Sequence, residues 1–549
     1  MNVISCRLKP YIQPFERRLA IEELRSLAGA NPMPMDGTEQ RALVFNVQSD
    51  YGSTRLAERL AYWELVEGDE RRFTRQVFLE ATASMIRNDK TIKETQASLR
   101  FNDGPTLPNR RCLRYGTHGI HEYRGKFFPQ LVRSLLNIAD LPKRGIVGDP
   151  MCGSGTTNVE TVLGEYQTLG LDMNPLSVLL ARTKCSLLSV DPAALTSAYE
   201  RIRDQLMSPA SKQDAKLTYF CSLPPSDQEY LSKWFSKQVL RDMDKVARGI
   251  QLSDERIRDF FWLCLSNIIR SVSWQKEDDL RVRREARLDV QIDTIREFVE
   301  ELGRSVRVVL AFLRQSQQTH FTPFDINSGD ARDLASVWTR WRGKVDTIIT
   351  SPPYATALPY LDTDRLSLCY LGLLSRPKHR QRDQHMIGNR EISEKQRSAY
   401  WELFETKKKN LPRSVSALVE KVSTLNSKIE VGFRRRNLPV LLTKYFMDMQ
   451  KVFEGMIAVL RPGSPAYVVV GNNHTIAGGE RVEIETASLL VDIASAAGMK
   501  SEKRIPMEML VSRDIFKKNA VASEEILCFR SPIKGIRSAS PRPPSSPRI

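Results

Sequence analysis

Ser351-Pro352-Pro353-Tyr354, delivered by the mostly apolar run over residues 345–350, brings together side chains suited to activating an aromatic amine. Such an amine is a poor nucleophile because its lone pair is delocalised into the ring. Acceptors placed around its N–H bonds localise that pair and aim it at an electrophilic carbon. The Ser351 hydroxyl and the Pro352 carbonyl can be those acceptors. Consecutive prolines have no N–H to offer and stiffen the backbone, so the carbonyl points outward on a rigid turn. Tyr354 then offers a face on which a base flipped out of a duplex can stack. Taken alone, the tetrapeptide would equally suit a polyproline-type ligand loop, so its reading depends on its companions.

The companion is a strand, a glycine-bearing turn and a helix start over residues 145–157, the arrangement that binds a nucleotide-like ligand at the carboxyl edge of a parallel sheet. Gly153 and Gly155 let the backbone approach closely. Leu169-Gly170-Leu171-Asp172 reads as the next short strand, ending in a carboxylate placed to hold ribose hydroxyls. No Lys-Ser/Thr pair follows the glycines as in a phosphate-binding loop, so a nucleoside fits better than a triphosphate.

His118-Gly119-Ile120-His121-Glu122-Tyr123-Arg124-Gly125-Lys126-Phe127-Phe128-Pro129, then Asp149-Pro150-Met151-Cys152-Gly153-Ser154-Gly155-Thr156-Thr157, then Gly170-Leu171-Asp172-Met173-Asn174-Pro175-Leu176, then Thr350-Ser351-Pro352-Pro353-Tyr354, follow one another along the chain. In this order they resemble the motifs of the S-adenosylmethionine-dependent amino methyltransferases of DNA, over roughly residues 110–180 and 320–530. The resemblance implies a Rossmann-like α/β fold with a mostly parallel sheet, S-adenosylmethionine as cofactor and double-stranded DNA as partner. It implies that Lys126, Phe127 and Pro129 close over the methionine part of the cofactor. Asp149, Pro150, Cys152, Gly153, Ser154, Gly155 and Thr156 would surround its amino acid and sulfonium end, Asp172 would hold its ribose, Asn174 would also belong to the cofactor site, and Asp330 would meet its adenine amino group. Asp330 suits a helix N-cap as well. Ser351, Pro352, Pro353 and Tyr354 would be the catalytic turn. The Ser-Pro-Pro-Tyr form is similar to enzymes acting on cytosine N4, with adenine N6 as the alternative, in a restriction-modification setting that would include a cognate endonuclease. The first hundred residues loosely resemble transfer-RNA guanine-N2 methyltransferases, which makes RNA the less favoured substrate. A catalytically silent nucleic-acid-binding subunit is the alternative of another class.

Several elements must position these residues. The amphipathic segment at residues 17–27, another at 54–63 and a strand beginning Ala42-Leu43-Val44-Phe45 form a small α+β accessory domain over residues 1–105. Residues 106–184 form the cofactor-binding half. Residues 185–320 form a helical insertion, a target-recognition or lid region, in which Ser226-Asp227-Gln228-Glu229 reads as a capping box and residues 256–272 and 292–313 as helices. The catalytic half spans 321–530. It holds a basic helical insert near 371–442, a helix over 445–460, a buried strand through Ala466-Tyr467-Val468-Val469-Val470 leading to Asn472 and Asn473, and a closing strand at Ile526-Leu527-Cys528-Phe529. Asn472 and Asn473 would line the target pocket or cap a loop. Residues 531–549, rich in Pro, Ser and Arg without an acidic residue, form a disordered tail.

Composition narrows the chemistry. Lys plus Arg number 82 against 65 Asp plus Glu, a formal charge of +17 that favours a polyanionic partner. Lys407-Lys408-Lys409 and Arg434-Arg435-Arg436 are placed for phosphate contacts. No Pro-Cys dipeptide is present to supply the nucleophile of a cytosine-C5 enzyme. The eight cysteines form no Cys-x-x-Cys or metal-spaced cluster, so no metal is expected and a reducing, cytoplasmic setting is. No apolar run approaches the roughly 18 residues of a membrane span, and no signal-peptide core opens the chain.

Overall fold

The computed structural model describes residues 2–86, 105, 112–123, 125, 128–208, 217–276, 283–286, 291–316, 322–355, 360–389, 392–508 and 523–533. Strands β1 (Asn2–Leu8), β2 (Met33–Pro34), β3 (Val44–Ser49), β4 (Trp63–Glu67) and β5 (Arg71–Phe73) form an antiparallel sheet in the order β2-β3-β1-β4-β5. Alternation places it: Ile4, Cys6 and Leu8 of β1 are buried, with more exposed residues between them. A helix over Pro14–Ala28 carries Phe15, Leu19 and Leu24 inward. The helix expected over residues 54–63 covers Ser53–Arg59 instead. Trp63 belongs to β4, fully buried, its indole N–H donating to the Ala20 carbonyl at 3.2 Å. The fit of a large aromatic side chain to the buried face of the pleated sheet outweighs helical period there.

Seven strands form the central sheet: β6 (Ile146–Asp149), β7 (Gln167–Asp172), β8 (Phe324–Ser328), β9 (Thr347–Thr350), β10 (Pro465–Gly471), β13 (Lys500–Glu508) and β14 (Ser523–Arg530), while β11 (Asn473–Ala477) and β12 (Glu480–Ile484) make a separate hairpin. The order is β13-β14-β10-β9-β6-β7-β8. β8, β7, β6, β9 and β10 pair parallel; β14 pairs antiparallel with β10 and with β13. This is the Rossmann-like methyltransferase fold expected from the motifs. Strand order reverses between β6 and β9, and at such a switch point connections leave in opposite directions and open a crevice at the carboxyl edge.

Both faces are covered, and β9 and β10 are buried along almost their whole length. On one face Val147, Ile349, Val469 and Ile526 share a core with Leu19 and Leu24 of the first helix and Leu131 and Leu135 of a helix over Pro129–Ile138. The amino-terminal region therefore continues the core of the catalytic sheet. On the other face Ile348, Val468 and Leu527 pack against helices Phe433–Val459 and Thr486–Ala497. The first of these begins well before the expected residue 445 and contains Pro439. Proline cannot donate to the carbonyl four residues back; that carbonyl, on Arg435, accepts from Asn426 Nδ2 at 2.8 Å instead.

The insertion is a helical bundle. Helices Pro192–Met207, Lys237–Gln251, Glu255–Val272 and Thr294–Ser316 share one core, which Leu366, Leu368 and Tyr370 from beyond the catalytic turn enter. The expected capping box does not form: the helix runs Pro225–Ser232, with Pro224 at its N-cap. The consecutive prolines set the helix start one residue before Ser226, and the buried Asp227 carboxylate accepts the Arg376 N–H at 2.6 Å. Among the described residues, no helix is long and apolar enough to cross a membrane and no cluster of metal-ligating side chains occurs. The expected tail lies almost wholly outside the described residues, beyond residue 533.

Candidate active site

β6 ends at Asp149 and the chain turns into a helix over Thr156–Leu163. Gly155 is its N-cap at φ 75°, and a Cβ there would lie 2.7 Å from Ala181 in the helix Pro175–Ser186, so only glycine fits. The Asp149 carboxylate is buried; Oδ1 accepts from Thr350 Oγ1 at 2.7 Å and from the Met151 N–H at 3.2 Å. Its other oxygen, Oδ2, is buried and accepts nothing among the described residues. The neighbouring Thr157 hydroxyl has one proton and donates it to the Ile349 carbonyl at 3.1 Å. Burial raises the Asp149 carboxyl to about 6 against these hydrogen bonds. Thr350 thus ties the catalytic strand's end to the start of the glycine turn.

At the end of β7, Asp172 Oδ2 accepts the Gly153 N–H and Oδ1 the Asn174 N–H, each at 2.8 Å. Burial raises this carboxyl to about 6 as well, the amide donors opposing it. A carboxylate has about four acceptor sites, so Asp172 can still take a hydroxyl proton from a ligand. Asn174 caps the helix Pro175–Ser186 through Leu176 N at 3.1 Å, and its Nδ2 donates to Asp364 Oδ2 at 3.2 Å. Cys152 is buried, and burial pushes its thiol far up, which keeps it neutral.

β9 delivers the Ser351–Tyr354 turn. Ser351 Oγ donates to the Val469 carbonyl of β10 at 3.0 Å. Its single proton is thereby spent on the sheet, and the oxygen's lone pairs remain for an incoming N–H. Tyr354 Oη donates to Glu524 Oε1 of β14 at 2.6 Å, and burial raises the Glu524 carboxyl, the tyrosine hydrogen bond opposing. Asn473 Nδ2 donates to the Ala355 carbonyl at 3.1 Å, while Asn472 caps the helix Thr486–Ala497 by accepting the Ala487 N–H at 3.0 Å.

Between the two turns lies a cleft with about 760 Å³ of empty space, its open mouth included. Pro150, Cys152, Gly153, Ser154, Thr156, Asp172, Asn174, Ser351 and Pro353 line it. Asp149 and Gly155 stand behind the turn, and Pro129 is buried at the start of its helix. Tyr354 and Pro352 flank the cleft without lining it. Asp330 caps a short helical turn through Arg332 N at 3.0 Å and pairs with the Arg332 guanidinium, which outweighs burial and holds its carboxyl below the usual range. Lys126 and Phe127 lie outside the described residues. Sequence reasoning passed over Tyr123, which lines the cleft and shares a 3.0 Å hydrogen bond with Ser177 Oγ, and Gly329, Ala331, Met386 and Ile387. Tyr123 stands inside the motif at residues 118–129 and Gly329 and Ala331 flank Asp330 in its own motif, whereas Met386 and Ile387 carry no motif.

Among the described residues, Asp172 is the one charged side chain lining the cleft, and the buried Asp149 adds a carboxylate oxygen without a partner. These carboxylates suit a nucleoside that carries cationic groups. S-adenosylmethionine, with its sulfonium and ammonium groups and ribose hydroxyls, fits it. Fold and site together define a Rossmann-like methyltransferase whose cofactor is S-adenosylmethionine.

No protein-family model matches the chain. It is 24% identical over 374 residues to the Type II methyltransferase M.MvaI of Kocuria varians, covering 65% of this chain and 77% of that one. To the Type II methyltransferase M.BsoBI of Geobacillus stearothermophilus it is 21% identical over 437 residues, 72% of this chain and 82% of the relative. Over 160 residues it is 30% identical to the Type II methyltransferase M.AvaI of Nostoc sp., 29% and 31% of the two chains. The chain is a homologue of the Type II methyltransferases.

Proposed function

We propose that the chain transfers a methyl group from S-adenosylmethionine to an exocyclic amino group of a base in duplex DNA, cytosine N4 by preference, within a restriction-modification pair that includes a cognate endonuclease. The observation that carries the reading is the Ser351 hydroxyl, on the cleft wall with its proton already given to Val469. When bound, the cofactor supplies an electrophilic methyl group. Ser351 Oγ and the Pro352 carbonyl accept the amine's N–H bonds and hold its lone pair toward the cleft, an interaction that strengthens as the nitrogen becomes tetrahedral. Tyr354, its hydroxyl fixed by Glu524, offers the stacking face. Asp172 takes the ribose hydroxyls, and Asp149 sets the glycine turn. The excess of 82 basic over 65 acidic residues supports a polyanionic substrate, and the Type II methyltransferase relatives support DNA. The eight cysteines, all free, suit work in the cytoplasm.

Labelled methyl transfer to genomic duplex DNA and, in parallel, to folded transfer RNA, followed by digestion and mass spectrometry of nucleosides, tests the reading. N4-methylcytosine from duplex DNA is expected. N6-methyladenine would move the target base, and label in transfer RNA with none in DNA would overturn the proposal.

A further inference from the structure

One wall of the cleft belongs to neither turn. Met386 and Ile387 line the cleft directly after a helix over Arg376–His385, inside the basic insert. Side chains from elsewhere hold this backbone. Arg332 Nη2 donates to the His385 carbonyl at 2.7 Å, and Lys444 Nζ donates to the Met386 carbonyl at 3.1 Å. Both cations converge on Asp448: Arg332 Nη1 lies 3.0 Å from Oδ1 and Lys444 Nζ 2.6 Å from Oδ2. The Lys444 side chain is 3% exposed. A buried ammonium is retained only where its partners compensate its lost hydration, so its geometry is tightly specified. From the preceding helix, Arg382 Nη1 donates to the Met173 carbonyl at 2.8 Å, beside Asp172.

The far side of the same segment meets the catalytic turn. Gly388 has φ 74°, and a Cβ there would stand 3.1 Å from the Tyr354 carbonyl oxygen and 3.2 Å from Pro353 Cβ. One short segment therefore faces the cofactor cleft with Met386 and Ile387 and supports the catalytic turn with Gly388.

We propose that residues 386–388 are a strut that sets the cofactor wall on one side and the place of the Pro353-Tyr354 turn on the other, held by a Lys444–Asp448–Arg332 latch. The proposal rests on the methyltransferase reading. It assigns Lys444 and Asp448 a positioning role, and it joins the basic insert mechanically to the cofactor. Damage on the two sides of the strut must then differ in kind: loosening the latch weakens cofactor binding, whereas crowding Gly388 impairs turnover.

Calorimetric titration of S-adenosylmethionine into the full chain without DNA, with an unfolding curve for each variant, separates the outcomes. Lys444→Met should raise the cofactor Kd about tenfold, the cost of losing one buried charged hydrogen bond. Lys444→Gln, which still offers a donor to the Met386 carbonyl, should lose less. Gly388→Ala should keep the cofactor Kd within about twofold while turnover at saturating cofactor falls about tenfold, as expected when reacting groups are displaced. A folded Lys444→Met protein with the wild-type Kd overturns the proposal, as does Gly388→Ala with wild-type turnover. Should Lys444→Met not fold, Ile387→Ala, which removes no charge, carries the test, and an unchanged Kd there overturns it equally. Failure of the wild-type chain to bind S-adenosylmethionine would strike the methyltransferase reading instead.

Discussion

The helix Thr156–Leu163 has buried carboxylates near both ends, and they are treated in opposite ways. At its amino end Asp149 and Asp172 sit among amides and hydroxyls, with no cation paired to them among the described residues, and burial lifts both to about 6. Near its carboxyl end Glu160 accepts from Arg133 Nε at 2.9 Å, His118 Nε2 at 2.8 Å and Tyr115 Oη at 2.7 Å. Burial would raise that carboxyl too, but Arg133 and His118 overcome it and hold it at about 2. At the paired end the Glu160 charge is answered within the protein. At the other end neither carboxylate is ion-paired among the described residues, and the buried Lys184 ammonium donates to the Ser154 carbonyl at 2.9 Å, which leaves both carboxylates to meet a cationic ligand.

Breaking the paired end should have the largest effect on folding. Glu160→Ala leaves Arg133 buried without its counter-charge and should cost about 3–5 kcal/mol, read from the denaturant midpoint. Stability within experimental error of wild type would show that the two ends do not differ as described. The ligand end should respond in binding: Asp172→Ala should weaken S-adenosylmethionine by about 1–3 kcal/mol in calorimetry. Asp172→Asn, which keeps an oxygen for the amides of Gly153 or Asn174, should leave folding within about 1 kcal/mol of wild type. At the neighbouring turn, Tyr354→Ala should weaken DNA binding by about 1–3 kcal/mol without changing cofactor affinity.

Acidification sharpens the contrast further. The ligand end needs its carboxylates ionised, so cofactor affinity should be flat above about pH 6 and fall below it as Asp149 and Asp172 take up protons. Because their folded values lie above the ordinary 3.8, these two groups cost the unliganded protein stability in full above about pH 6, a cost that shrinks as pH falls from about 6 and is gone below 3.8. Glu160 runs the other way: its contribution is complete above 4.5 and is lost as pH falls through about 2. Cofactor affinity that rises on acidification would contradict the assignment of the ligand end.

What the sequence disclosed and what it hid follow from range along the chain. The glycine turn and the strand into Ser351 are local: a few consecutive residues fix a strand, a φ near 75° at Gly155 and a helix start. Asp172 was legible because it ends the next strand. Pro224 and Pro225 set a helix boundary against the capping signal at Ser226, and Trp63 followed its sheet rather than its helical period. The supports of the site were hidden because each partner lies far away: Val469 for Ser351, Glu524 for Tyr354, Lys444 for Met386. None of those pairings leaves a periodic or motif signal in one sequence.

Ser351→Ala measures the central claim most directly. In single-turnover methyl transfer to duplex DNA, with cofactor Kd determined on the same preparation, the rate should fall about tenfold to a thousandfold while the Kd stays within about twofold, since the lost acceptor acts chiefly in the transition state. A folded Ser351→Ala protein that transfers methyl groups at close to the wild-type rate would mean that the tetrapeptide is a structural turn and that the chemistry is done elsewhere.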